Sequence, residues 1–450
     1  MIGIQPTNLS KWFICGTFFC VLLFTLSTPL YSIPLIGGRR FLTQLAFPVS
    51  IISFVLLSLS FHSKKNLSFF LNCFIRNFLY IILPFIPFIF GLLITLLIYS
   101  PDKEQFVFKP STIISYIIFL SFIFATLKSP CEIKFQKDWL WITSSIAIWV
   151  TFLLLCIICF EKSKSIFELR DYVQPWVTVF SRCTSLVSGT CLFGVIYSRT
   201  RLKKIYFAST GIIGFILAAV VLQTRSVLLS PLLAACLLFF YFFKQQKIGL
   251  KPIAITTCVF VIVSSLSILF LSERVVKGTN ELASSGNFSE IQEVINKVET
   301  NTPLTATESQ IFSSLNTSMG GRMAAWSTVT KISKEHFFWG TGEGRLDHFI
   351  NVRKLFKSSG NFVVHFHSDF LQVFVVGGFF LLFCMVLTQF LLFFRAVRNK
   401  NWLQIFLIVS MFTFGLGEFS LIDAQTMLVF ISAWITSSLL FDPKKTRKGC

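Results

Sequence analysis

HFHSDFLQVFVVGG, at residues 365–378, is the point where a long polar segment passes into an apolar one. It places His367 at the boundary between an aqueous compartment and the hydrocarbon of a lipid bilayer. A bilayer is expected because 54% of the 450 residues are hydrophobic, 56 are Phe and only 13% are charged. Soluble domains have about 25% charged residues, so this composition excludes a soluble globular protein.

Apolar runs of roughly 17–25 residues recur along the chain, and each can cross about 30 Å of hydrocarbon as a helix. Lipid offers backbone N–H and C=O groups no partner, so these runs must be helical. The predicted fold is all-α: a polytopic membrane protein with about 12 transmembrane helices and a large helical external loop between helices 9 and 10. The predicted spans are 12–31, 42–61, 79–99, 111–127, 139–160, 177–197, 205–224, 226–243, 252–271, 367–394, 403–418 and 424–441.

Lys and Arg occur in short clusters at every second connection between apolar runs, as the positive-inside rule describes. This alternation predicts both termini in the cytoplasm and the segments around 100–110, 161–176 and 272–366 outside. The net charge of +20 is therefore a topology signal, reinforced by attraction to anionic lipid headgroups, and does not indicate nucleic-acid binding. The predicted divisions are nine helices in 1–271, the external loop in 272–366, three helices in 367–441 and a basic cytoplasmic tail in 442–450.

The external loop is expected to fold as a small helical cap. Apolar residues recur at helical spacing from Phe288 and again from Arg322, and Gly320-Gly321 is expected to break the chain ahead of the second stretch. Gly340–Gly344 is expected to form a plain turn rather than a phosphate cradle, because no strand precedes it. The helical stretches are predicted at 288–295, 322–332 and near 346–357.

Three residues are candidates for chemistry because of their positions. Arg225 lies in VLQTRSVLL, at the middle of an apolar stretch that fits two spans better than one, so it is expected at an external hairpin tip. An arginine retained in an apolar setting tends to be functional. Arg322 begins an amphipathic helix of the cap, and His367 precedes the tenth span on the same side. His365 would point elsewhere if this segment is helical, because side chains on a helix meet at i+3 and i+4.

One histidine and two arginines at the headgroup level suit the transfer of a sugar from a polyprenyl diphosphate. The leaving diphosphate is a weak base whose charge must be neutralised, and arginine binds phosphate oxygens in bidentate fashion. The remaining task is to deprotonate an acceptor hydroxyl, which a histidine can do as general base. The chain has no DxD pair and no His/Cys cluster, so neither a metal nor another cofactor is expected. Asp102 and Glu104 are interpreted as part of a solvated loop.

Short motifs follow one another in a characteristic order along the chain. Arg225 is followed by a small residue, Arg322 by Trp326 and then by HFFWGTG at 336–342, and His367-Ser368 by nine residues and Gly378. In this order, with one large external loop late in the chain, they resemble the bacterial O-antigen ligase family. That family shares a domain with O-antigen polymerases and some protein O-oligosaccharyltransferases.

The resemblance implies a glycosyltransferase that moves O-antigen or a related glycan from undecaprenyl diphosphate to lipid A-core. Transfer would take place on the periplasmic face of the bacterial inner membrane. By this resemblance, Arg225 and Arg322 bind the donor diphosphate and His367 is the general base. Further candidates for substrate binding are Arg39, Arg40, Arg345, His365 and Gln372.

The resemblance leaves alternatives open. Three residues after Gly378 the family has Gly, Thr or Tyr, whereas this chain has Leu381, so an O-antigen polymerase that joins lipid-linked repeat units fits as well. A lipid-linked glycan flippase would place charges near the bilayer midplane, whereas Arg225 and His367 are expected at one external boundary and the spans are nearly free of charge. A structural scaffold would leave the loop arginines without a role.

Overall fold

The structure is a computed structural model that describes residues 12, 15–19, 47–59, 64–99, 110–128, 138–162, 177–221, 227, 229–244, 276, 279–280, 286–356, 365–417 and 424–440. All regular secondary structure within these residues is helical, which confirms the predicted all-α class. The helices before the cap are α1 (Phe47–Leu59), α2 (Lys64–Ile82), α3 (Ile86–Tyr99), α4 (Pro110–Lys128), α5 (Trp139–Lys162), α6 (Val177–Tyr197), α7 (Arg201–Ile216) and α8 (Leu229–Lys244). The cap contains α9 (Phe288–Glu299), α10 (Ala306–Leu315), α11 (Ser318–Glu335) and α12 (Val352–Leu355), and α13 (Asp369–Arg398), α14 (Trp402–Gly417) and α15 (Ala424–Leu440) follow it.

Within the described residues, five helical stretches are long and apolar enough to cross a membrane. They are Lys64–Tyr99, Trp139–Glu161, Val177–Tyr197, Arg201–Ala219 and Asp369–Arg398. Shorter apolar helices accompany them. The chain is therefore a membrane protein, as its composition predicts. The count of about 12 spans stays a prediction, and the predicted spans 12–31 and 252–271 fall largely outside the described residues.

The helix that contains the predicted span 79–99 begins at Lys64, well ahead of that span. Its first part, α2, carries Lys64 and Lys65 at its start and reaches a 3₁₀ turn at Leu83–Phe85. Pro84 lies in this turn, and a proline inside a helix removes a backbone hydrogen bond and kinks it. The apolar helix α3 continues beyond this turn, so the apolar run marks only the second half of a longer helical stretch, Lys64–Tyr99.

The cap, residues 286–356, begins its helices with polar side chains that satisfy exposed backbone amides. Asn287 and Glu290 form a capping box at the start of α9, and Thr305 and Glu308 form another at the start of α10. Each arrangement binds two amide groups that a helix start would otherwise leave without a partner. The predicted helix at 288–295 is thus present and extends to Glu299, whereas α10 was not predicted.

The prediction that Gly320-Gly321 breaks the chain is wrong. Both glycines lie inside α11, which begins at Ser318 and uses Thr317 as its N-cap. Gly320 is needed for close packing rather than for a turn, because a Cβ there would lie 2.0 Å from the carbonyl O of Ser314. The third predicted stretch, near 346–357, contains a 3₁₀ turn and the short helix α12.

One end of the helical bundle brings together the starts of α6 and α15 and the segment after α7. Ser181 Oγ, near the start of α6, donates to the carbonyl O of Ala218 at 2.7 Å. Ala218 lies in the π-helical turn Leu217–Val221, which continues α7. Cys183 Sγ lies 3.8 Å from Thr426 Oγ1, near the start of α15. We call this end of the bundle the cap end.

The start of α13 lies at the cap end as well, although α13 is much longer than its neighbour α14. Ser368 Oγ donates to the carbonyl O of Gly415, near the end of α14, at 3.0 Å. A straight Asp369–Arg398 helix would be about 45 Å long, whereas Trp402–Gly417 is about 24 Å long. A short turn joins their other ends, so Ser368 can reach Gly415 only because α13 bends.

The first turns of α13 belong to the cap rather than to the bundle alone. Phe374 and Val375 are part of the buried apolar core of the cap, together with Phe366 and residues of α9, α10 and α11. The side chains of Val373 and Val376 belong to the core of the bundle. The N-terminal segment of α13 therefore joins the two cores, and His367 directly precedes it.

Candidate active site

The bend in α13 lies at Gly377 and Gly378, where the backbone leaves the helical conformation. Gly378 has φ +64° and ψ −163°, a region essentially restricted to glycine. A Cβ at this position would lie 2.2 Å from the carbonyl O of Phe338. The break therefore requires glycine at position 378, the last residue of the motif that begins with His367-Ser368.

The loop at 336–342 supplies hydrogen bonds to α13 on both sides of this break. The amides of Thr341 and Gly342 donate to carbonyl oxygens of the first half of α13, at 2.8 and 2.9 Å. The amides of Phe379 and Phe380, in the second half, donate to carbonyl oxygens of the loop, at 2.8 and 3.2 Å. Non-helical backbone within a membrane helix persists only where protein groups satisfy it, so loop and break depend on each other.

The Gly340–Gly344 segment uses its amides within the protein. Gly340 N donates to the carbonyl O of His336 at 2.9 Å, and Glu343 N donates to Thr341 Oγ1 at 3.2 Å. Tyr99 Oη, at the end of α3, donates to the carbonyl O of Gly340 at 2.6 Å. These bonds, with those from Thr341 and Gly342 to α13, fit the interpretation of this segment as a structural turn and not as a phosphate cradle.

His367 lies in a short non-helical segment, residues 365–368, directly before α13. Its φ is +51°, in the left-handed region that residues other than glycine adopt infrequently. Such conformations persist where the surrounding structure enforces them, and they cluster at functional sites. Because the segment is not helical, the helical spacing argument that separates His365 from His367 does not apply.

Two side chains fix the residue before His367 from opposite directions. Trp326 Nε1 donates to the carbonyl O of Phe366 at 2.9 Å, and Phe366 N donates to Gln372 Oε1 at 3.3 Å. The amide group of Gln372 also donates through Nε2 to the carbonyl O of Gly344 at 2.5 Å. Gln372 is 1% exposed, so it ties the cap, the His367 segment and α13 together.

Arg322 lies on the same face of α11 as Trp326, because residues four apart on a helix are neighbours. Arg322 is half-buried. The bond from Trp326 to Phe366 turns this face towards the segment that carries His367. Arg322 is therefore one helical turn away from the residue that is bonded to the His367 segment, and a shared site of Arg322 and His367 stays a prediction.

His365 lies among charged groups of the cap. Burial is the main cause that lowers its pKa, to about 4, and the nearby charges of His367 and Arg345 lower it further, while Asp347 opposes them. Arg345 itself is paired with Asp347, through Nε to Oδ1 at 3.0 Å and through a second guanidinium nitrogen to Oδ2 at 2.7 Å. The carboxylate raises the pKa of Arg345, and the guanidinium lowers that of Asp347. His365 is therefore neutral at pH 7, close to the Arg345–Asp347 pair.

The model of a protein family described as O-antigen ligase matches residues 210–386. Over these residues the chain is similar to that family. The match confirms the resemblance that the motifs predict, and it includes Arg225, Arg322, His367 and Gly378. A search of curated proteins gave no match.

The similarity to this family indicates a glycan-transferring enzyme of O-antigen processing, a ligase or a polymerase. Three of its predicted site residues lie outside the described residues: Arg225, Arg39 and Arg40. The last described segment before Arg225 is the π-helical turn Leu217–Val221. This turn lies at the cap end. Single π-helical turns within helices occur frequently at functional sites.

Two buried charged residues at the cap end of the bundle were not predicted. Arg182 and Asp369 are each 0% exposed. Arg182 lies within α6, the helix of the predicted span 177–197. Its Nε donates to the carbonyl O of Thr178 at 3.1 Å, which directs the guanidinium towards the start of the helix rather than the middle of the bundle. A single Arg in an apolar run is a recognised sign of function and could have identified it.

Among the residues that the structure describes, no group of three or more His, Cys, Asp or Glu side chains is arranged to hold a metal ion. Asp102 and Glu104 lie outside these residues.

Proposed function

We propose that this protein transfers a glycan from undecaprenyl diphosphate to a hydroxyl of lipid A-core, on the periplasmic face of the bacterial inner membrane. In this proposal His367 is the general base, and Arg225 and Arg322 bind the donor diphosphate. The proposal depends chiefly on how the His367 segment is held. Trp326 and Gln372 fix the residue before His367, and His367 itself has a left-handed backbone. The bond from Trp326 comes from the face of α11 that carries Arg322.

In the proposed reaction the acceptor oxygen attacks the anomeric carbon of the donor glycan. The bond between that carbon and the diphosphate oxygen breaks, and the diphosphate leaves with the electron pair. The acceptor proton passes to an imidazole nitrogen of His367. General base catalysis of this kind contributes about 100- to 10,000-fold to a rate, and guanidinium groups neutralise the charge that develops on the diphosphate.

Leu381, the departure from the family pattern, is a packing residue in the structure. Its side chain is 0% exposed and packs where α13 meets α3, since a Cβ at Gly91 would lie 2.9 Å from Leu381 Cδ1. A Cβ at Gly377 would lie 2.4 Å from Leu381 Cβ. Leu381 therefore serves helix packing beside the break. An O-antigen polymerase remains the second candidate, because the similarity to the O-antigen ligase family is compatible with both reactions.

The proposed base is tested by the lipopolysaccharide profile of a deletion strain that carries variants of the protein. His367→Ala should abolish glycan-capped lipid A-core, while His336→Ala, at an exposed histidine of the cap, should leave it intact. Arg322→Ala should sharply reduce capping. Arg322→Lys should restore little activity, because lysine keeps the positive charge but cannot make the bidentate hydrogen bonds of a guanidinium group. Unchanged capping in His367→Ala at equal protein level would refute the assignment.

The same strain separates ligase from polymerase. If capped lipid A-core is lost while lipid-linked polymer persists, the protein is a ligase. If lipid A-core instead carries a single repeat unit, the protein is a polymerase.

A further inference from the structure

A cavity of about 650 Å³ opens in the cap close to the proposed base. Its charged and polar lining comes from Glu299, Arg345, Asp347, His348, Asn351 and Arg353. A volume of this size lies within the range of about 300–1,000 Å³ that is usual for small-molecule sites. None of these residues has a part in the proposed transfer step.

The cavity adjoins the His367 segment through direct contacts. Phe349, which lines the cavity, has its ring 6.2 Å from the ring of Phe366, measured between centroids. On the other side, Gln372 holds the carbonyl of Gly344, the residue directly before Arg345. A ligand in the cavity would therefore lie next to the segment that positions His367.

The walls of the cavity are held in place by hydrogen bonds between α9 and the α12 region. Asn351 N donates to Glu299 Oε1 at 2.8 Å, and Lys354 Nζ donates to the carbonyl O of Glu299 at 3.0 Å. His348 Nδ1 lies 2.7 Å from Glu343 Oε2. These contacts order the polar groups before any ligand arrives, which reduces the entropic cost of binding.

The charges of the lining are balanced. The lining contains two arginines, Arg345 and Arg353, and two carboxylates, Glu299 and Asp347, so it carries no excess of positive charge with which to attract a phosphate. A sugar hydroxyl both donates and accepts hydrogen bonds. An Arg–Asp pair offers donors and acceptors side by side, which suits a neutral polyhydroxyl ligand better than an anion.

We propose that this cavity binds neutral sugar residues of a glycan substrate and holds that glycan beside His367. The inference rests on the proposed function for the identity of the glycan, which could be either the acceptor core or the donor O-antigen. Both present the same hydroxyl chemistry.

The test measures binding of two soluble probes to the full-length protein in nanodiscs by calorimetry. The probes are core oligosaccharide released from lipopolysaccharide by mild acid and delipidated O-antigen polysaccharide. Asp347→Asn and Arg353→Gln should each weaken binding about tenfold, the effect of losing one charged hydrogen bond. Asp138→Asn is the matched control, because Asp138 is also paired, with Lys203, but at the other end of the bundle. Preference for one probe identifies the source of the glycan.

The outcomes keep the inference separate from the proposed function. If His367→Ala binds the probe normally but transfers nothing, the result supports both the proposed transferase function and the glycan-binding cavity. If the wild type binds the probe but lipopolysaccharide capping does not depend on the protein, only the glycan-binding cavity is supported. In transfer assays Asp347→Asn should raise KM for the glycan without lowering kcat, which a damaged fold would not do. Absent binding by an active wild type, wild-type affinity in both cavity variants, or displacement of the glycan by inorganic pyrophosphate would overturn the inference.

Discussion

Replacement of Gly378 by alanine tests whether the break in α13 and the loop at 336–342 form one structural unit. The added Cβ would lie 2.2 Å from the carbonyl O of Phe338 and 2.3 Å from its carbonyl carbon. No real Cβ tolerates such distances, so the loop must move away from α13. Alanine would also have to adopt a φ of +64° with ψ of −163°, where it is strained.

The size of the effect follows from two contributions. Backbone strain at such a position costs about 1–3 kcal/mol. Displacement of Phe338 breaks at least two of the four amide bonds across the break, each with a net value of about 0.5–1.5 kcal/mol. Together these amount to roughly 2–6 kcal/mol of the free energy of unfolding, a large share of the stability of a typical domain.

The measurement is thermal unfolding of the purified protein in detergent, followed by tryptophan fluorescence. Trp339, within the loop, is 43% exposed and reports on its detachment. Gly16→Ala is the matched control, since a Cβ there meets no atom within 4 Å and alanine favours the helix. The coupling of loop and break is refuted if Gly378→Ala unfolds at the same temperature as the wild type and as Gly16→Ala.

Three further predictions concern the segment around His367. Trp326→Phe removes the indole N–H bond to Phe366 while retaining an aromatic ring, so glycan capping should fall markedly with little loss of protein; Trp402→Phe, far from the cap end, is the control. Gln372→Leu leaves two backbone groups unsatisfied and should lower the free energy of unfolding by about 1–3 kcal/mol, measured by denaturant titration. The depressed pKa of His365 means that the folded state binds this proton less readily than the unfolded state. The free energy of unfolding should therefore decrease as the pH is lowered from about 6.5 to about 4. In thermal scans, His365→Gln should remove most of this pH dependence.

The apolar helices could be predicted from the sequence because the bilayer imposes a simple rule. A long apolar run must satisfy its own backbone groups, so it becomes a helix wherever it occurs. The spans predicted at 177–197 and 403–418 agree closely with α6 and α14, Val177–Tyr197 and Trp402–Gly417. Polar flanking residues set the boundaries of these helices. The apolar run and its polar flanks are both local features of the chain.

The break in α13 could not be predicted in the same way. Gly377 and Gly378 lie within an apolar run that hydropathy reads as continuous helix, and glycine within a membrane helix is common. The helix is broken by a partner that lies earlier in the chain, the loop at 336–342, whose bonds to α13 join residues 34 and 42 positions apart. Gly320 shows the opposite error, because a glycine pair that indicates a turn by propensity lies inside α11, where the carbonyl of Ser314 leaves no room for a side chain.

The candidate site was predicted where position alone was informative. His367 and Arg322 stand out in the sequence at a boundary and near the start of a helix. In the structure Trp326, one turn after Arg322, is bonded to Phe366, the residue before His367. The role of Gln372 was less accessible, because its bonds to Phe366 and Gly344 depend on the packing of the cap against α13. Its buried amide supports positioning of the His367 segment rather than direct contact with a substrate.

The structure also gives a physical reason for the spacing between His367-Ser368 and Gly378. Eight of the nine residues between them, 369–376, form a helical segment of about two turns that is anchored at both ends. At its start Ser368 bonds to α14, and at its end the break is paired with the loop at 336–342. One residue more or fewer would rotate one end relative to the other by about 100° and shift it by about 1.5 Å, so both anchors could not form together. A fixed count between the histidine and the glycine is therefore what a rigid spacer between two anchors demands, whatever acceptor the enzyme uses.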